Sequence, residues 1–290
     1  MSFKSLIQDL RGVRISSTSN SQSTKALLID QISQPIDGDV KKLLYKYAKE
    51  NDFIQKFKNV VIGEISNFTE KKSVTHFKYK ERIEESFIAD QTEIIALADK
   101  IKKNYKRVFI FSIGGSNLGP ALMNDIFKKD DFNINFITGS DPDEYSNIKI
   151  QDSDALVISS KSFGTLETLS SYKELCGNDF FEQTYAVTAD KIKAQDFGVH
   201  EKNIISFDSS TGGRFSIWSP INLALILLEG DQGYKDFLRG GKDMDAACLN
   251  NPENNPAFQL SAQDIIYNNI LDVETTLVVN YDYKLRNFIS

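Results

Sequence analysis

Cysteine and histidine are scarce in this chain, two of each in 290 residues. Cys176 and Cys248 lie far apart and not in CxxC spacing. No disulfide framework and no zinc site is implied, and a reducing cytoplasm suits such usage. Both read as small semi-buried hydrophobes. His200, in "GVHEKN", reads as a solvated residue of a short connection, and His76 as a core or interface residue. Neither is expected to be a catalyst. Basic residues are outnumbered, 34 Lys and Arg against 40 Asp and Glu, for a net charge of −6. That balance argues against nucleic acid as a partner, which calls for a basic patch or stripe. Phosphorylated small molecules stay open, because local amides and cations decide their binding. Long apolar runs are missing too. "INLALILL" is far too short to span a bilayer, so no membrane partner is expected, and "MSFKSLIQDLRGVRIS" lacks the apolar core of a secretory signal.

What is present suits a globular protein of one large or two modest domains, with 41% apolar residues. The first hundred residues read mostly as helix. "VKKLLYKYAKENDFIQKFKNVVIG" and "DQTEIIALADKIKKNYK" carry helical periodicity, and "SNFTEKKSVTHFKYKERIEESF" between them breaks it at Asn67 and Thr69. From Arg107 the texture changes. "VFIFSI", "INFIT", "ALVISS", "TYAVT" and "NIISF" are short continuous apolar runs separated by helical patterns. This alternation predicts an α/β fold, a doubly wound five-stranded parallel sheet flanked by helices and buried on both faces. After Phe207 three helices are expected, in "SPINLALILLEG", "GYKDFLRGGKDMDAACL" and "PAFQLSAQDIIYNNIL"; "TTLVVNY" then reads as a strand opening a second sheet.

Three loops follow predicted strands and carry chemistry. "SIGGSNLGP" opens a helix, where unpaired N–H groups and a partial positive charge face an anion; Gly115 allows close backbone approach and Ser116 adds a hydroxyl. A plain strand-to-helix turn is the other reading of the same residues. "ISSKSFGTLETL" places Ser160, Ser162 and Thr165 around one turn with Lys161 between them. A helix cap needs one hydroxyl, and three with a lysine favour a tetrahedral oxyanion. No carboxylate or histidine cluster there suits a metal. "STGGRFSIWSP" puts Gly213 and Arg214 where the chain turns toward helix; an arginine there can hold an anion or stabilise developing negative charge, or pair with a nearby surface acid. Three such loops on one sheet point to a single crevice for a phosphorylated ligand.

Taken in order, "IGGSNLGP", "SKSFGTLET" and "GGRFSIWS" resemble the signature segments of the glucose-6-phosphate isomerase family. "GEISNFTEKKSVTH" upstream, and "FLRGGKDMDAAC" and "VVNYDYKL" downstream, resemble further landmarks of that family, so the resemblance runs from Gly63 to Leu285. It implies the cofactor-free interconversion of glucose 6-phosphate and fructose 6-phosphate through an enediolate, on two sugar-isomerase (SIS) subdomains. Gly115, Ser116, Ser160, Lys161, Ser162, Thr165 and Gly213 would bind the sugar phosphate, and Arg214 would be catalytic, stabilising the enediolate. The resemblance also implies a cytoplasmic protein and a homodimer when full length. It divides the chain into an N-terminal helical region (1–100), a first SIS subdomain with the phosphate loops (101–230), and a connection with the first strand of a second subdomain (231–290).

There are departures from the family pattern. Asn117 stands where the family commonly has Asp, Ser162 and Gly164 replace threonines, Lys72 replaces an arginine, and no histidine follows Met244 and Asp245. The family segments that carry its glutamate base and its ring-opening histidine and lysine do not occur here. The expectation is therefore the front portion of such an enzyme, inactive alone, unstable or prone to aggregate through apolar surface left uncovered. A non-catalytic SIS module that binds or senses a sugar phosphate is the alternative.

Overall fold

Residues 1–16, 18–23, 28–66, 69, 71–81, 89–130, 132–139 and 141–288 are described in this computed structural model. They form two units. Asn67, Phe68 and Glu70 of the "GEISNFTE" segment lie outside the described residues.

The first unit combines Met1–Ser73 with Arg239–Val278. It holds α1 (Phe3–Arg11), an antiparallel ribbon of β1 (Thr18–Ser23) and β2 (Leu28–Gln34), α2 (Gly38–Glu50), α3 (Phe53–Val61) and the helix Pro256–Asn269. Leu6 and Leu10, then Val40, Leu44 and Ala48, recur one turn apart, and these stripes bury with Phe258, Ala262 and Ile266 in one core. The ribbon departs from the helical expectation for this region. "TSNSQS" contains no apolar residue, so the alternation that betrays a strand is absent from β1.

The second unit combines Val74–Leu238 with Val279–Ser290. After α4 (Ala89–Asn104) come β3 (Arg107–Phe111), α5 (Gly115–Phe127), β4 (Asn133–Ile137), α6 (Pro142–Tyr145), β5 (Asp154–Ser159), α7 (Leu166–Cys176), β6 (Thr184–Thr188), α8 (Lys191–Phe197), β7 (Ile204–Ser206) and α9 (Leu223–Cys248), the last continuing into the first unit. The five strands from β3 onward are parallel, in the order β4-β3-β5-β6-β7. Alternate strand residues enter different cores. Val108, Ile110, Val157 and Tyr185 pack with residues of α4, α5 and the first part of α9. Phe109, Phe111, Leu156 and Ile158 pack with Tyr172, Cys176 and Ala194 of α7 and α8. This is the expected doubly wound sheet. At the end of the sheet where β3 and β5 begin, Arg107 donates to both carboxylate oxygens of buried Asp154, each at 2.7 Å, tying the two strands together.

One expectation near the C-terminus needs correcting and another is met. The helices expected in "SPINLALILLEG" and "GYKDFLRGGKDMDAACL" are both present and follow one another within α9 across a kink at Gly230, whose φ 71°, ψ −167° is not helical. Lys129 Nζ donates to the Leu228 carbonyl at 2.6 Å and pairs with Glu229, meeting acceptors that the kink leaves open. "TTLVVNY" forms no strand: Thr275–Tyr281 lack secondary structure, and Leu277 and Tyr281 are 86% and 98% exposed. Strand propensity alone does not satisfy backbone N–H and C=O groups, and no described strand pairs with this stretch.

Candidate functional site

The strand order reverses about β3: the chain leaves β3 for β4 on one side, then returns to β5 on the other. A crevice opens at the carboxyl ends of strands at such a switch point. A cleft of about 240 Å³ lies here. Its lining draws on all three loops: Ile113, Gly115 and Ser116 after β3, Ser159 to Ser162 with Thr165 and Thr168 around the end of β5, and Gly213 after β7. Seven of the residues singled out from sequence thus face one space. Arg214 does not line the cleft. It is exposed beside Gly213 and has no hydrogen bond or ion pair among the described residues, so the surface pairing with an acid is not seen there.

Each loop has a local reason for its shape. Gly114, at φ 57°, turns the chain from β3 into α5, and no side chain caps that helix. Buried Ser112 Oγ donates to Asn117 Oδ1 at 3.1 Å, so Asn117 braces the turn. In the β5 loop the Lys161 carbonyl accepts from Ala189 N at 2.9 Å and Thr188 Oγ1 at 3.2 Å, which fixes the loop to the end of β6. Phe163 adopts φ 44°, costly for a bulky residue, and its buried ring packs against Phe197 at 5.7 Å. Thr165 stands at the N-cap of α7 without capping it; its hydroxyl lies 3.1 Å from Ser160 Oγ instead. Two helix N-termini, α5 and α7, therefore meet at the cleft with no side-chain cap on either, an arrangement that favours an anion.

The third loop is seated on the first. A Cβ on Gly115 would lie 2.2 Å from the Gly213 carbonyl oxygen, and one on Gly119 would lie 3.0 Å from Ile217. Ser216 Oγ lies 2.7 Å from the Gly213 carbonyl and 3.1 Å from the Gly115 carbonyl, so its single proton serves two acceptors. Gly115 and Gly119, one helical turn apart, let the 3-10 segment Gly213–Trp218 lie directly on α5.

Two residues at the cleft were not foreseen. The hydroxyls of Ser159 and Thr168 are buried and have no hydrogen-bond partner among the described residues. Burying an unpartnered hydroxyl costs free energy, and such groups in a cleft suggest donors kept for a ligand. Thr168 was within reach of the sequence, since it stands one turn after Thr165 on the same face of α7. Ser159, as a strand's last residue, gives no such signal.

The histidines fall apart from the cleft. His200 lies 3.0 Å from Glu182 at the surface. His76 is buried against Phe77 and Phe215, and burial, then the nearby charge of Lys80, lowers its pKa to about 4. Neither cysteine is in a disulfide; burial raises the Cys176 thiol to about 12, which makes it inert. No metal-ligating cluster occurs among the described residues, and no helix is long and apolar enough to cross a membrane.

Residues 30–290 match the family model described as phosphoglucose isomerase. The chain belongs to the phosphoglucose isomerase family. It is 30% identical to glucose-6-phosphate isomerase from Stutzerimonas stutzeri, covering 93% of this chain and 55% of that one. It is 28% identical to the enzyme of the same name from Shewanella putrefaciens, covering 92% and 55%. The chain spans about half the length of the curated relatives it matches. A crystal structure of a glucose-6-phosphate isomerase from Chlamydia trachomatis superposes with a TM-score of 0.77 at 21% identity, over 98% of this chain and 59% of the other, a likeness of fold.

Proposed function

We propose that the cleft binds the phosphate of a sugar phosphate, and that this chain supplies the phosphate-binding part of a glucose-6-phosphate isomerase. The observation that carries this is the meeting of two uncapped helix N-termini at a hydroxyl-lined cleft, with Ser159 and Thr168 buried and unpartnered among the described residues. In this reading Ser116, Ser160, Ser162 and Thr165 give hydroxyls to the phosphate, Lys161 gives charge, and Gly115 and Gly213 let backbone approach. The segment 101–230 is the phosphate-binding subdomain.

Aldose–ketose isomerisation moves a proton between adjacent carbons and leaves negative charge on the enediolate oxygens. In this reading Arg214, on the Gly213–Trp218 segment next to the cleft-lining Gly213, stabilises that charge once the phosphate is held. A base must move the proton; none of the cleft residues named here is assigned that role. Glucose 6-phosphate and fructose 6-phosphate are the proposed substrates, in a cytoplasmic homodimer.

Calorimetric titration with inorganic phosphate and with fructose 6-phosphate tests the site. Both are expected to bind, fructose without phosphate is not, and Thr165→Val is expected to weaken both phosphate ligands. Absence of phosphate binding refutes the reading. Turnover by the natural polypeptide purified from its own cells, followed by NMR, separates an isomerase from a non-catalytic binding module, for which binding alone is expected.

A further inference from the structure

The segment "THFKYK", Thr75–Lys80, has no place in the cleft. Yet five of its six residues touch the stretch that carries Arg214. Thr75 Oγ1 lies 3.4 Å from Thr211 Oγ1. The His76 ring stacks on Phe215, with centroids 4.5 Å apart. Lys78 Nζ donates to Asp208 Oδ2 at 2.9 Å. Tyr79 OH lies 3.4 Å from Thr211 Oγ1 and donates to Asp90 Oδ2 at 3.1 Å. Lys80 Nζ sits 4.6 Å from the Trp218 ring. His76, Tyr79, Lys80 and Thr211 are all buried.

We propose that Thr75–Lys80 is a positioning clamp for the Arg214 loop; this rests on the reading above, in which Arg214 meets the charge of the enediolate. The Arg214 side chain makes no hydrogen bond or ion pair among the described residues, so the backbone beneath it sets where the guanidinium can reach. That backbone is held on two sides. Gly115 and Ser216 seat Gly213 on α5, and the clamp seats Asp208, Thr211 and Phe215. Within the loop, Asp208 Oδ1 accepts from Ser210 N at 2.8 Å and the Asp208 carbonyl from Thr211 N at 3.0 Å, so a pull on Asp208 is passed along the turn. A cation stabilises developing charge well only when it is already in place. The Lys78–Asp208 pair is partly exposed on both sides, so it adds little to global stability. Its effect is the placement of the loop.

The test uses Lys78→Met, with Tyr79→Phe as a second variant that removes only the hydroxyl. Two probes are titrated: inorganic phosphate, and a five-carbon aldonate 5-phosphate whose carboxylate imitates the charge of the enediolate. Wild type is expected to bind the aldonate more tightly than phosphate. Each clamp variant is expected to lose about fivefold on the aldonate and less than about twofold on phosphate. In an Arg214→Gln background, Lys78→Met is expected to change neither. Equal losses on both probes, no loss on the aldonate, or a loss that persists without Arg214 overturns the clamp while phosphate binding stands. Wild-type protein that binds neither probe overturns the proposed function and the clamp together.

Discussion

Gly115→Ala tests the seating of one loop on another. The added Cβ would lie 2.2 Å from the Gly213 oxygen, 2.5 Å from its carbonyl carbon and 3.0 Å from Arg214 N, where ordinary contact begins at 3.4 Å. The shortfall of about 1.2 Å is against backbone, which cannot swing aside as a side chain can. Overpacking of this kind costs about 1–3 kcal/mol. Alanine regains up to about 1 kcal/mol over glycine in a helix. Parting the Ser216 hydroxyl from one of its two carbonyls costs about 1 kcal/mol. The expected net destabilisation is about 2 kcal/mol, a fall in melting midpoint of about 4–8 °C. Phosphate affinity should drop about tenfold as well, since Gly213 moves away from the cleft. Gly213→Ala is the control for stability, because its Cβ meets nothing within 4 Å; it should stay within about 0.5 kcal/mol of wild type. Urea unfolding of both variants decides the matter. If Gly115→Ala is as stable as Gly213→Ala, the seating of the loop on α5 is wrong.

Thr168→Val removes a buried, unpartnered hydroxyl; the free protein should melt at the same temperature or higher, while the phosphate-induced rise in melting temperature shrinks, reflecting a loss of about 1 kcal/mol in binding. His76 keeps its neutral form down to about pH 4 when folded, against 6.5 as its ordinary value. The unfolded chain therefore takes up the proton first as pH falls, and stability declines from about pH 7.5 toward 4. His76→Phe should flatten the stability–pH curve by about 2 kcal/mol between pH 7.5 and 5, read by urea unfolding at each pH. Arg107→Met leaves Asp154 buried without its cation, and a loss of about 3–5 kcal/mol in unfolding free energy is expected with no change of ligand preference.

The parallel sheet was legible because strands buried on both faces must be continuously apolar, and each of the five runs from "VFIFSI" to "NIISF" covers its strand, or all of it but the first residue. The loops were legible because their glycines and hydroxyls stand at strand ends, where few side chains have a packing reason to be small or polar. The ribbon β1–β2 was not, since "TSNSQS" looks like a linker by composition. "TTLVVNY" misled in the opposite direction: its residues favour a strand, but a strand is a property of a pair, and propensity says nothing about the partner. The contacts of Thr75–Lys80 were hidden because they join positions more than a hundred residues apart through an irregular segment without periodicity.

The sequence spacing of the three loops hides how strongly they depend on one another. Ser216 links Gly115 to Gly213 through one hydroxyl, and Ser160 N donates to the Val187 carbonyl, tying the β5 loop to β6. Lys161 takes its place from Thr188 and Ala189, which both donate to its carbonyl. A change at any one of these joints shifts donors contributed by the others. That is why small residues recur at the joints. Gly115, Gly119 and Ser216 set distances between backbones, while Ser160, Ser162, Thr165 and Thr168 supply the chemistry once those distances are set. Alanine at Gly115 should therefore act at a distance, reducing the contribution that Thr165→Val removes. A double-variant cycle between the two positions, read by phosphate affinity, should give a coupling of about 0.5–1 kcal/mol, and strict additivity would mean that the loops act separately.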